Sequence, residues 1–245
     1  MLYLIGTGLF YLNDLPLRAV DVLKSADKVF LERYTNVTDV SYLGKLEKTI
    51  GKKIEILERQ KVEDEYLVKL ASGSKVCLLI PGDPLAATTH LSLLVSCKSK
   101  GIKTDVIHAS SIFSAVAETG LSLYKFGMTV SIPIYEENFA PESFFDGIDE
   151  NLKMGLHTLI LLEARSEEIF LGVKDAIEIL KKIENKREKK AIDWSKVLYV
   201  SRLGSENCKI GVAEHAPNDL KPPISLVIPG KLNKVEEETI KEIIK

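Results

Sequence analysis

The residues best placed to do chemistry lie in one segment, Pro81-Gly82-Asp83-Pro84-Leu85-Ala86-Ala87-Thr88-Thr89-His90. Two prolines bracket Gly82-Asp83 and restrict the backbone on both sides, so a carboxylate is held at a defined place. The segment follows the apolar run Val76-Cys77-Leu78-Leu79-Ile80. Ligands of open α/β sheets bind outside the carboxyl ends of strands, which is where this loop falls. Thr88 and Thr89 are positioned to cap the helix that follows. A strand-to-helix turn served by Asp83 alone is the competing reading, although it needs less constraint than two prolines impose.

Two further segments have the same placement. Gly6-Thr7-Gly8 follows the first apolar run, and its glycines let backbone approach a ligand closely. A dinucleotide fingerprint requires a third glycine at position 11, which is Tyr11, so that reading fails. What remains is a GxG that is equally a tight turn. His108-Ala109-Ser110-Ser111-Ile112 ends another apolar run; Ser110 or Ser111 suits an N-cap, and His108 on its own reads equally as a core histidine. The four histidines, His90, His108, His157 and His215, have no metal-ligand spacing. There is no GxSxG elbow and no phosphate-loop lysine motif, which removes the common hydrolase and nucleotide-triphosphate chemistries.

The elements needed to position these loops are legible. Strands are expected at Leu2–Ile5, Lys28–Glu32, Lys53–Leu57, Lys75–Ile80 and Lys103–His108, with helices at about Leu15–Ser25, Val40–Ile50, Val62–Ser72 and Thr89–Lys100. Strands alternating with helices imply a mainly parallel sheet. The run Val76–Ile80 has no polar alternation and belongs at the sheet centre. A second series offers strands at Thr129–Ile134, His157–Glu163, Lys196–Leu203 and Ile224–Ile228. Its helices are expected at Pro141–Met154, Ile169–Ile183 and Val235–Ile244, with Ile169, Val173, Ala176, Ile177 and Leu180 on one stripe. Glu184–Lys190 reads as a solvated helix end and loop. The fold class is α/β with two α/β domains, residues 1–120 carrying the GxG and PGDP loops and residues 121–245 forming the second.

Composition bounds the function. The net charge is −2 and 45% of residues are hydrophobic. No basic stripe is interleaved with aromatics, so no nucleic-acid surface is expected. No apolar run approaches the roughly 20 residues that span a bilayer, so no membrane association is expected either. Cys77, Cys97 and Cys208 form no CxxC pair; the first two lie in apolar runs and read as core residues. These features suit a cytoplasmic protein.

Taken in order, the segments LIGTGL, ERYT at Glu32–Thr35, PGDPLAATTH, VIHASSI, TGLSLYKFG, GLHTLILLE, SRLGS and PPISLVIPGKL resemble the diphthine synthase family across nearly the whole chain. That family lies in the tetrapyrrole-methylase-like class of S-adenosylmethionine-dependent methyltransferases. The resemblance implies two α/β domains with mainly parallel or mixed sheets, the cofactor in the inter-domain cleft, and a homodimer. It implies methylation of the amino group of a modified histidine, 2-(3-amino-3-carboxypropyl)-histidine, on translation elongation factor 2, with S-adenosylhomocysteine as product and no metal. By motif position the cofactor contacts are Leu9, Asp83, Ala86, Ser111, Ile112, Leu162, Leu203 and Ile224, with Asp83 the candidate catalytic carboxylate in the absence of a clear general base. Two positions depart from the family: Ser110 stands where proline is common, and Ile224 where a polar residue or histidine is frequent. A tetrapyrrole methyltransferase and a non-catalytic cofactor-binding module are the alternatives.

Overall fold

The computed structural model describes residues 1–9, 11–34 and 42–243. Thr35 of the ERYT segment, the first two residues of the helix expected over Val40–Ile50, and Ile244 lie outside the described residues. The chain divides into two compact units, Met1–Phe113 and Ser114–Lys245.

The first unit runs β1 (Leu2–Gly6), α1 (Leu17–Lys24), β2 (Lys28–Glu32), α2 (Leu43–Ile50), β3 (Ile54–Leu57), α3 (Arg59–Glu63), α4 (Tyr66–Gly73), β4 (Val76–Ile80), α5 (Leu91–Ser99) and β5 (Thr104–Ile107). All five strands are parallel, in the order β3-β2-β4-β1-β5. β4 is central and buried at every residue, as its uninterrupted apolar run requires.

The connections from β1 to β2 and from β2 to β3 step toward one edge of the sheet. Those from β3 to β4 and from β4 to β5 step back toward the other. Right-handed crossovers running in opposite directions put their helices on opposite faces. Accordingly, Ala19, Leu23, Leu46 and Ile50 of α1 and α2 pack on Ile5, Leu31, Cys77 and Leu79. Val62, Leu67, Val68, Leu93 and Cys97 of α3 to α5 pack on Leu4, Phe30, Leu78 and Ile80. Neighbours such as Leu78 and Leu79 therefore serve different layers, as strand pleating dictates. β1 and β4 are adjacent, and their connections leave in opposite directions. That is the topological condition for a crevice at their carboxyl ends.

Cys77 and Cys97 are buried core residues, and burial pushes the Cys77 thiol up to about 12. The single helix expected over Val62–Ser72 is two helices. Asp64 is extended, and its carboxylate accepts the Tyr66 N–H at 2.7 Å, ending one helix and starting the next.

A short helix α6 (Ile112–Ala115) runs across the division between the units, and the second unit continues with β6 (Val130–Ile132), α7 (Phe144–Lys153), β7 (Thr158–Leu162), α8 (Val173–Lys186), β8 (Leu198–Ser201), β9 (Lys209–Val212), β10 (Ile224–Ile228) and α9 (Lys234–Ile243). Its sheet is mixed, in the order β6-β7-β10-β8-β9, with only β6 and β7 parallel. Phe145, Ile148, Ala176, Leu180 and Ile183 of α7 and α8 fill the core against Ile132, Ile160, Tyr199 and Leu226.

Three expectations are corrected here. α8 starts at Val173 rather than Ile169. The Ile169 carbonyl accepts the Arg165 and Ser166 N–H groups in a turn, and its side chain is exposed, so its place on the helical stripe was coincidence of phase. Glu184 is not solvated: it is buried, and its carboxylate accepts the Ala191 and Ile192 N–H groups and the Trp194 indole N–H, at 2.9, 3.0 and 2.9 Å. Strand β9 was not expected at all. It is four residues long, at the sheet edge and mostly half-buried, with Gly211 lying against the Tyr199 ring, where a Cβ would stand 2.9 Å from it.

Candidate active site

Three loops of the first unit meet at the carboxyl ends of β4, β1 and β5, the adjacent strands at the crevice. Gly8 N–H donates to the Gly82 carbonyl at 3.2 Å, and Gly82 N–H donates back to the Gly8 carbonyl at 3.0 Å. Both residues have positive φ, 74° and 72°, a region where an L side chain is strained. At Gly6 the demand is for space: a Cβ there would stand 2.5 Å from the Gly82 carbonyl oxygen and 2.9 Å from the Ala109 Cβ. The GxG of the sequence is therefore the surface on which the PGDP loop and the β5 loop rest. Ala87 also has positive φ, 54°, a conformation that costs on the order of 1–3 kcal/mol and persists only where the surroundings enforce it.

Asp83 ties two of the loops together. One carboxylate oxygen accepts the Leu85 N–H at 3.0 Å. The other accepts the Ala109 N–H at 3.3 Å and the His108 Nδ1–H at 2.7 Å. The Asp83 side chain is only 14% exposed, whereas that of His108 is 65% exposed. Asp83 thus does more than serve its own turn, and His108 is not a core histidine.

The third loop is held by Asp14, which lies in the 3-10 turn Tyr11–Asp14. Its carboxylate accepts the Leu9 N–H at 3.0 Å and, through a long contact of 3.4 Å, the Ser110 hydroxyl. That contact tethers Ser110 to the turn after β1. Nothing in the sequence marked Asp14, because its partner Ser110 lies 96 residues away.

Leu9, Asp83, Ala86, Ser111 and Ile112 all belong to these loops. Ser111 is buried and the other four are half-buried. The caps expected from Thr88 and Thr89 are not formed: the N-cap of α5 is His90, without a side-chain bond. Thr88 instead donates to the Pro84 carbonyl at 2.6 Å, and Thr89 to Glu63 at 3.3 Å, so both fasten the loop rather than the helix. His90 is buried beneath the loop, with Nε2 3.2 Å from the Tyr34 hydroxyl. Burial lowers the pKa of His90 and so favours the neutral ring. Burial, reinforced by Glu32, pushes the Tyr34 phenol up to about 12 and keeps it a donor.

In the second unit, Leu162, Leu203 and Ile224 gather at one end of the mixed sheet. Leu162 closes β7, Leu203 follows β8, and Ile224 opens β10 opposite Ser201. All three are buried, and the side chains of Leu162 and Ile224 belong to the hydrophobic core. Arg202, with φ 51°, donates its backbone N–H to Pro223 and its Nε–H to Pro222, joining the SRLGS and PPIS segments.

The YKFG and GLHTL segments have a structural partner in α9. Asn233 and Glu236 form a capping box: the Asn233 side chain accepts the Glu236 N–H and the Glu236 carboxylate accepts the Asn233 N–H, both at 2.9 Å. Glu236 also pairs with Lys125 and accepts from Ser122 N–H at 3.1 Å and His157 Nε2 at 3.2 Å. His157 Nδ1 accepts the Gly230 N–H at 2.9 Å, which fixes the Nε2–H tautomer. Burial lowers the His157 pKa despite Glu236. Burial opposes ionisation of Glu236, but Lys125 and the backbone donors outweigh it and hold the carboxyl well below the usual range.

The residues 1–215 match the family model described as Tetrapyrrole (Corrin/Porphyrin) Methylases. The chain is 40% identical to a diphthine synthase of Methanococcus maripaludis over 98% of each chain, and 40% identical to a diphthine synthase of Methanocaldococcus jannaschii over 98% of each. The chain belongs to the diphthine synthase family. Its fold agrees: a structure assigned as a diphthine synthase from Entamoeba histolytica superposes with a TM-score of 0.87 at 32% identity, covering 100% of this chain and 98% of that one. Membership makes the chain a methyltransferase that uses S-adenosylmethionine.

The loops of the first unit fit such a group in two respects a diphthine synthase requires. A Cβ built on Gly82 would meet only the Ser111 Cβ, at 3.9 Å, so the approach to this backbone is open. A carboxylate, a hydroxyl and half-buried apolar groups border it in Asp83, Ser111, Leu9 and Ile112, a mixture suited to a cationic, purine-bearing molecule. Among the described residues, no group of three or more His, Cys, Asp or Glu side chains is placed to hold a metal ion, and no helix is long and apolar enough to cross a membrane.

Proposed function

We propose that the chain methylates the amino group of 2-(3-amino-3-carboxypropyl)-histidine on translation elongation factor 2, working as a homodimer in the cytoplasm. The identity to diphthine synthases along 98% of the chain is the observation that carries this reading. The loops after β1, β4 and β5 bind the cofactor through Leu9, Asp83, Ala86, Ser111 and Ile112. For Leu162, Leu203 and Ile224 a role in cofactor binding rests on the family resemblance alone, and the side chains of Leu162 and Ile224 are committed to the core.

When bound, S-adenosylmethionine supplies a methyl group on a sulfonium, an activated leaving group. The residues have to hold donor and amine in line, and orientation of this kind accounts for a large share of an enzymatic acceleration. Asp83 is the carboxylate on which the site depends: it fixes the PGDP loop against the β5 loop and leaves negative charge beside the crevice.

The reading is tested by offering labelled S-adenosylmethionine with either elongation factor 2 carrying the aminocarboxypropyl-histidine or a corrin precursor. Label is expected on the elongation factor alone. Label on the corrin alone would make the chain a tetrapyrrole methyltransferase, and cofactor binding without transfer to either would make it a binding module.

A further inference from the structure

The Asp83–His108 pair has a form that loop packing alone does not require. A carboxylate only accepts, so the 2.7 Å contact places the imidazole proton on Nδ1. The Nε2 lone pair of a ring that is 65% exposed then points away from the partner that orients it. An oriented imidazole with a free basic nitrogen is the arrangement of a general base. Among the four histidines it is the one so placed. His157 is fully buried with both nitrogens engaged, and His90 is buried against Tyr34. His215 lies exposed in the 3-10 turn Ala213–His215 of the other unit.

From this geometry, and resting on the function proposed above, we infer that His108 is the proton acceptor for the substrate amine and that Asp83 orients it. Such a group serves the chemistry. The substrate amine stands beside a carboxylate and titrates above neutral pH, so at pH 7 most copies are ammonium and have no lone pair. His108 Nε2 takes one proton from the ammonium. The freed pair forms the N–C bond while the C–S bond of the donor breaks, its electrons passing to sulfur to give a neutral thioether. The product amine carries the positive charge, and the exposed ring returns its proton to water before another round. The charged groups on the flanking elements are Asp83 from the loop after β4, Asp14, which holds Ser110, and the Arg18–Asp105 pair joining α1 to β5.

The test has two parts. In the cofactor-free enzyme, nitrogen NMR of the His108 ring should report the Nδ1–H tautomer, and D83A should abolish that preference. H108N retains a donor toward Asp83 but takes no proton. Its single-turnover rate on the modified elongation factor at pH 7, with both substrates saturating, should fall on the order of a hundredfold. Its S-adenosylmethionine affinity should be unchanged by calorimetry, and the deficit should narrow as pH rises past the titration of the amine. H108Q repeats the measurement if H108N does not fold. Wild-type rates with an unchanged pH profile would overturn the inference, as would affinity lost in proportion to rate, which would make His108 a positioning residue. In both cases the wild-type enzyme still methylates the factor and the proposed function stands. A wild-type enzyme inert on the factor would overturn that function, and this inference with it.

Discussion

Gly8 and Gly82 exchange backbone hydrogen bonds in both directions, at 3.2 and 3.0 Å, across the point where the connections of β1 and β4 diverge. Two loops from neighbouring strands are thus joined through residues without side chains, and the third loop packs on them through Ala109.

Gly6→Ala should be among the most damaging small substitutions in the chain. The added methyl meets backbone at 2.5 Å, which side-chain motion cannot relieve. Overpacking of this kind costs about 1–3 kcal/mol in stability. Displacement of Gly82 should also weaken S-adenosylmethionine binding by about tenfold or more, equivalent to about 1.4 kcal/mol. Thermal melts and calorimetry measure the two effects; wild-type values for both would show that the loops tolerate separation.

Asp83→Ala removes one acceptor from three donors at once, those of Leu85, Ala109 and His108. Cofactor affinity should be abolished or greatly weakened, and Asp83→Asn, which keeps the shape and one acceptor oxygen, should fall between the two. Near-normal affinity in D83A by calorimetry would remove Asp83 from the cofactor site.

Tyr34→Phe deletes the hydroxyl that meets the buried His90 Nε2. An imidazole nitrogen left without its partner costs about 1–3 kcal/mol. Chemical denaturation should show a loss in that range without a change in the slope of the transition, and no loss would mean that water replaces the hydroxyl.

The Glu236 network predicts acid lability with a definite sign. Glu236 titrates lower in the folded state than in the unfolded chain, so its contribution is complete above the ordinary glutamate value of about 4.3 and is lost as pH falls toward the folded-state value. His157 is also lowered, so the unfolded chain takes up its proton first and stability begins to fall below about pH 6.5. Glu236→Gln leaves Lys125 without its charge partner. Breaking a buried pair from one side costs about 3–5 kcal/mol. The variant should be less stable at pH 7 and should flatten the decline below about pH 4.3. Parallel curves for wild type and variant would place the acid-sensitive group elsewhere.

Much of the first unit is legible in the sequence because a parallel sheet covered on both faces writes each strand as an apolar run. Val76–Ile80 is the clearest case, and its central place followed from the missing alternation. The PGDP loop was legible because proline, glycine and aspartate constrain backbone in identifiable ways. Roles created by contacts distant in sequence left no local mark. Asp14 sits in an ordinary turn and Glu236 among three consecutive glutamates, yet each carboxylate gathers a donor from a remote segment, Ser110 and Ser122. Edge strand β9 was missed for a different reason: four residues, one exposed and three half-buried, with a glycine among them carry too little pattern to separate from a loop.

Intact mass of the elongation factor after incubation with enzyme and S-adenosylmethionine is the most direct single measurement. It requires the factor in two forms, one carrying the aminocarboxypropyl-histidine and one with the unmodified histidine. The expected result is a gain of whole methyl groups on the first form, counted by the mass itself, and no gain on the second. An unchanged mass on both, from an enzyme shown by calorimetry to bind the cofactor, would contradict the assignment.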